Sequence, residues 1–179
     1  MTEAGSESNR LALRTAVAEY FANGGLPYVG AVYPARPEVL PEAAYELNRF
    51  NEVVQSTTGS GTTLVVDVPS DKRERRALTG RVGVNDTHIY NIALEVWFAN
   101  VSGGGVVAQE DYDTVSSAIV NLIRANATLG TSGTVWSAGE YAAGIQHEQR
   151  EPSTNEDGTT VFIFGVVRFE AWTWIAGNV

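Results

Sequence analysis

The sequence predicts an α+β fold: a mainly antiparallel, mixed sheet of long strands packed by an N-terminal helix and a long central helix, and closed by an extended terminal hairpin. Three observations carry that prediction. Apolar residues alternate over 87–98 and again over 159–175, an apolar stripe of helical period runs over 109–129, and successive strands are joined mostly by short or hairpin-like links. With 179 residues, 44% of them apolar, the chain can build one packed core. Residues 1–8 read as a flexible tail and 9–179 as a single domain.

The elements follow in order. Ser8 is a suitable N-cap for a helix from about Asn9 to Phe21, with Leu13, Val17 and Tyr20 or Phe21 on one face and Asn23-Gly24-Gly25 ending it. Residues 28–33 (YVGAVY) form a strand, closed by Pro34 and Pro37. Pro41 suits the first turn of a short helix through Phe50. After a turn at Gly59-Ser60-Gly61, the β-branched run 62–68 is a strand that Pro69 should stop. Residues 70–86 are expected as a long polar connection. In the strand 87–98, Tyr90, Ile92, Leu94, Val96 and Phe98 take one face, and Ile89, Asn91, Ala93, Glu95 and Trp97 the other. The helix 109–129 should carry Glu110, Asp111 and Asp113 in its first turn and Tyr112, Val115, Ile119, Leu122 and Leu129 on its apolar stripe. Strands over about 134–147 and 159–175 meet across an Asp157-Gly158 turn.

Composition narrows the chemistry. There is no cysteine, so disulfides, thiolate catalysis and Cys-ligated zinc are excluded, and two histidines are too few for a His-rich metal site. The formal net charge of −9 disfavours a freely exposed DNA-binding surface. No secretory signal or membrane-spanning run is legible. His147-Glu148-Gln149-Arg150-Glu151 lacks the second His that a zinc-binding helix needs four residues on. His88 beside Asp86 has no Gly-x-Ser-x-Gly elbow to serve. The Gly-rich stretch 59–63 lacks the Lys-Ser/Thr pair of a phosphate-binding loop and leads into a strand, and 103–105 precedes a helix whose Glu110, Asp111 and Asp113 would repel phosphate. No catalytic, cofactor or metal residue is assigned.

Charge and aromatic placement point to interfaces instead. Residues 71–81 hold five basic residues, Lys72, Arg73, Arg75, Arg76 and Arg81, against Asp71 and Glu74, a net of +3 that leaves −12 on the rest. This run is a solvated loop tip, a nucleic-acid contact that lacks interleaved aromatics for base stacking, or a contact for an acidic partner. Trp172 and Trp174 alternate near the C-terminus and are costly to leave in water, so they either cover the long helix or anchor a subunit interface. Trp97 joins them as a candidate contact.

The layout resembles the tail terminator (tail-completion) proteins of long-tailed bacteriophages. The resemblance runs over roughly 9–175. It lies in a leading amphipathic helix, the strand IYNIALEVWFA at 89–99, a Gly-rich break, the helix EDYDTVSSAIVNLIRAN at 110–126, and a closing hairpin ending in VFIFGVVRFEAWTWI at 161–175. Residues 34–61 are longer than a minimal version needs. The resemblance implies a non-enzymatic subunit of a six-membered ring at the head-proximal end of the tail tube, without cofactor or membrane. Its partners would be copies of itself, the tail tube protein and the head completion or connector proteins. Genomic DNA would be passing cargo, and the location the virion after assembly in the host cytoplasm. The basic run would meet an acidic surface of the tube or adaptor. Other readings are a head–tail stopper or neck protein and, from another class, a small enzyme or ligand-binding domain built around His88, His147 and nearby carboxylates.

Overall fold

The chain opens on α1, Ala4–Ala22, in a computed structural model that describes residues 4–37, 59–77, 84–101, 104–131, 135, 137–139 and 144–175. The helix starts ahead of Asn9, so residues 4–8, assigned above to the tail, are helical. Leu13, Val17, Ala18 and Phe21 form its buried stripe. The helix expected over 41–50 lies outside the described residues.

Strand β1, Val29–Tyr33, pairs in parallel with β2, Ser60–Ala77, and this makes the sheet mixed. Pro69 does not stop β2. The register with β3, Val84–Asn100, slips between Asp67 and Ser70, so Val68 and Pro69 together oppose one residue in a bulge. A bulge is where a strand tolerates proline, which has no N–H to give the ladder. The neighbouring Val68 N–H donates to the Asp67 carboxylate at 2.8 Å.

Beyond the bulge the ladder continues from Ser70↔Asn91 to Ala77↔Val84. The segment 70–86, expected as a polar connection, is therefore two arms of an antiparallel ribbon around residues 78–83. Its charged sequence hid the strand, because cross-strand pairing overrides the modest β-propensity of single residues.

Helix α2, Gly104–Ala125, begins before the expected Gln109, and its first turn holds no acid. Glu110, Asp111 and Asp113 lie farther along, and the two aspartates bond to neighbours instead. Asp111 accepts from Ser60 Oγ at 2.6 Å and Asp113 from Gln109 Nε2 at 2.8 Å. Asn100 Nδ2 donates to the same Ser60 Oγ at 2.7 Å, which ties the start of α2 to the ends of β2 and β3. The buried stripe is Ala108, Tyr112, Val115, Ser116, Ile119 and Ile123, while Leu122 is half-buried. Tyr20 Oη donates to the Leu122 carbonyl at 2.8 Å and joins the two helices.

The expected strand over 134–147 is broken. Among the described residues there, β4, Ser137–Ala138, and β5, Gln146–Gln149, are the extended pieces, followed by β6, Ser153–Thr154. Gly139 and Gly144 have φ of +88° and +66°, outside the extended conformation of a regular strand, which glycine adopts without a Cβ clash. All three pieces pair antiparallel with β7, Val161–Ile175, so the terminal hairpin closes through β5 and β6.

The strand order is β1-β2-β3-β7-β4, with β5 and β6 also on β7. One face carries the core in cross-strand rows such as Val66–Leu94–Val167 and Thr62–Phe98–Ile163. Both helices pack on that face, their stripes sharing one cluster with it. Each fully buried aliphatic or aromatic side chain there contributes roughly 1.5–3 kcal/mol.

Candidate interaction surface

The other face of the sheet is set by the alternate positions of the same strands. Trp97 on β3 stands in register with Phe164 on β7, and their rings lie 4.5 Å apart at 58°. The Arg150 guanidinium sits over Phe164, 4.9 Å from its centroid, and completes a cation–aromatic stack. Trp97 Nε1 donates to Glu95 Oε2 at 3.0 Å, while Arg36 pairs with Oε1 of the same carboxylate. Glu95 is thus the hub that fixes both the indole and the segment after β1.

Trp172 is on the same side of the sheet as Trp97, away from α1 and α2, so it does not cover the long helix. It is buried to 9% exposure, and its Nε1 donates to Glu170 at 3.3 Å. Trp97 and Trp172 do not share a patch. Their register positions on β7 are eight residues apart, about 27 Å at ~3.4 Å per residue. Lys72, Ile89 and Trp172 form one cross-strand row, and Glu74, Thr87 and Trp174 the next by backbone register. Arg73 is opposite His88, Arg75 opposite Asp86 and Arg76 opposite Asn85. The basic run therefore alternates along a strand and does not cluster on a loop. Arg81 lies outside the described residues.

A second assembly sits where α2 meets β5 at the edge of β7; the candidate contact residues miss it, and the sequence reading reached only its His147, as part of the enzyme alternative. Tyr112 is fully buried and reaches His147 on β5, with Oη and Nε2 2.9 Å apart and the rings stacked at 28°. Burial pushes the Tyr112 hydroxyl above its ordinary value and the His147 imidazole below its own, with Asp113 opposing the shift on His147. A neutral imidazole accepts the tyrosine proton, so both shifts agree with the bond. Gln109 and Gln149 exchange amide hydrogen bonds at 2.8 and 3.1 Å, and Glu148 pairs with Arg168. The sequence did hold one signal for this clamp. Gly165 interrupts the β-rich run VFIFGVV, and a glycine inside a strand marks a close approach. A Cβ there would stand 1.8 Å from Tyr112 Oη.

The other histidine is interior. His88 is 7% exposed, and its Nδ1 lies 3.2 Å from Tyr90 Oη. Among the described residues no group of three or more His, Cys, Asp or Glu side chains is placed to hold a metal, and no helix is long and apolar enough to cross a membrane. Beside α2 a shallow groove of about 530 Å³ is lined by Asp113, Ser117, Arg124 and His147 among others.

No family model and no curated protein matches the sequence. Among solved structures, a chain from the "Virion of native gene transfer agent (GTA) particle" is similar at 14% identity and a TM-score of 0.34, over 90% of this chain and 91% of that one.

Proposed function

We propose that this chain is a structural virion protein that closes into a ring on the head-proximal end of a phage tail tube. There it ends tube polymerisation and presents the docking face for head completion proteins. The observation that supports this reading is that, among the described residues, both helices lie on one face of a sheet of long strands. Strands of 18, 17 and 15 residues carry both helices on one face. The opposite face holds the half-buried Trp97 and Phe164 in fixed orientations, as an interface with neighbours would need. The resemblance in element order supplies the ring and the tube. Residues 9–179 act as one domain in this reading, and the net charge of −9 lets DNA pass without sticking.

Light scattering with negative-stain imaging tests it, using the purified chain alone and mixed with isolated tail tubes. Closed rings, or density at one end of the tubes, are expected. A chain that stays monomeric at every concentration and leaves tube ends bare overturns the proposal. Particles made without the protein should carry tails of uncontrolled length. Tails of normal length that merely lack heads would assign the stopper role instead.

A further inference from the structure

The outer flank of β5 is an open strand edge. The Arg150 N–H donates to the Phe164 carbonyl at 2.9 Å. In the alternation of an antiparallel ladder, the N–H and C=O groups of Gln146 and Glu148 then face β7, and those of His147 and Gln149 face away from it. All four residues of β5 are exposed, and among the described residues no strand pairs with that flank. The edge is also held in place from α2, by the Tyr112–His147 bond and by the amide pair of Gln109 and Gln149. A strand added there would order little that is not already ordered.

The groove of about 530 Å³ lies beside this edge, with His147 in its wall. Along α2 it is lined by Asp113, Ser117, Asn121 and Arg124, and the two charges are about 16 Å apart at ~1.5 Å per residue of helix. Arg124 is exposed and makes no ion pair among the described residues, and Asp113 accepts from the neutral Gln109 amide. Both charges are open to a partner. Four residues of extended chain cover about 14 Å and return side chains to the same face. A strand on the β5 edge can therefore hold a basic side chain over Asp113 and an acidic one over Arg124. A second copy of this chain fits less well. The self-pairing that uses both free positions, 147 against 149, sets Glu148 opposite its own copy, and like charges so placed repel. We propose that this edge and groove dock an extended segment of a partner protein by strand addition, the segment carrying a basic and an acidic side chain four residues apart. The site does not depend on the ring reading above.

A displayed library of random octapeptides, selected on the full chain, tests the site. Enriched peptides should carry a base and an acid four positions apart, and a synthetic copy should bind in calorimetric titration. Gln149→Pro removes one outward N–H without touching the ladder to β7, while Gln149→Ala keeps that N–H and loses the same side-chain amide. The proline chain should bind the peptide about tenfold more weakly than the alanine chain. Arg124→Glu should weaken binding by a similar factor, less so at high salt, and a selection repeated on that chain should exchange the acid for a base. Arg124 is exposed, so this second arm decides even if Gln149→Pro fails to fold. A library with no enrichment over bare resin overturns the proposal, as does a repeat selection on Arg124→Glu that returns the same acid. Equal binding by folded proline and alanine chains rules out strand addition. Self-association in sedimentation velocity that Gln149→Pro abolishes and the peptide does not compete for would seat a second copy on the edge and overturn the assignment of a partner protein.

Discussion

Gly165→Ala should be among the most damaging single-atom additions in the protein. The added Cβ would lie 1.8 Å from Tyr112 Oη and 3.1 Å from the Glu148 carbonyl oxygen. The first distance is about half an ordinary contact. The tyrosine cannot simply swing aside, since its ring is fully buried, stacks on His147 and meets Phe98 edge-on with centroids 5.8 Å apart. Overpacking of this kind costs about 1–3 kcal/mol. Loss of the Tyr112–His147 bond adds about 1 kcal/mol. Restricting the unfolded chain returns about 0.4–1 kcal/mol, so the net destabilisation is about 2 kcal/mol. Tyr112→Phe removes the offending oxygen and leaves Cζ as the nearest ring atom, at 3.1 Å. The double variant should therefore be more stable than the two single losses predict, by about 1 kcal/mol. Urea unfolding followed by circular dichroism gives all three values. Strict additivity, or a Gly165→Ala chain within about 0.5 kcal/mol of wild type, would refute the close approach.

Other outcomes follow from the same geometry. Ile119, fully buried on α2, should cost about 2–5 kcal/mol when cut to Ala. Val106, 74% exposed, should change stability by less than about 0.5 kcal/mol when replaced by Ser; equal midpoints for the two variants would contradict the placement of α2. Asn155→Ala removes an acceptor for two backbone N–H groups and should cost about 1 kcal/mol by urea midpoint, with no loss detected if the turn holds itself. The His147 imidazole sits below its ordinary 6.5 when folded, so the unfolded chain binds the proton more tightly. Its contribution is complete above that value and declines as pH falls toward the folded pKa. His147→Gln should flatten the fall in urea midpoint between pH 7 and 5, and an unchanged slope would show that burial does not hold the imidazole neutral.

Much of the fold is legible from period alone. The alternation in 87–98 assigns Tyr90, Ile92, Leu94, Val96 and Phe98 to the core, and all five are buried. The same holds for Val161, Ile163, Val167 and Phe169 on β7. Polarity misled where pairing decided, as in 70–77, because hydrogen bonds to β3 hold a charged strand that hydropathy reads as a loop. Backbone conformation misled in the opposite sense at 134–147, where Gly139 and Gly144 break a run whose side chains read as extended. Among the candidate contacts, the tryptophans were legible as residues and not as a pair, since their separation along β7 depends on register.

Local pattern by itself determined the fold class, the core-facing positions of the long strands, the apolar faces of both helices and the absence of thiol chemistry, because each depends on which residues the chain contains and at what step they recur. Only the tertiary structure decided that the charged run 70–77 is a strand paired with β3, that Tyr112 on α2 meets His147 on β5, and that Gly165 makes room for Tyr112. Those relations join residues far apart in the chain, and they are fixed by strand order and register, which no local periodicity encodes.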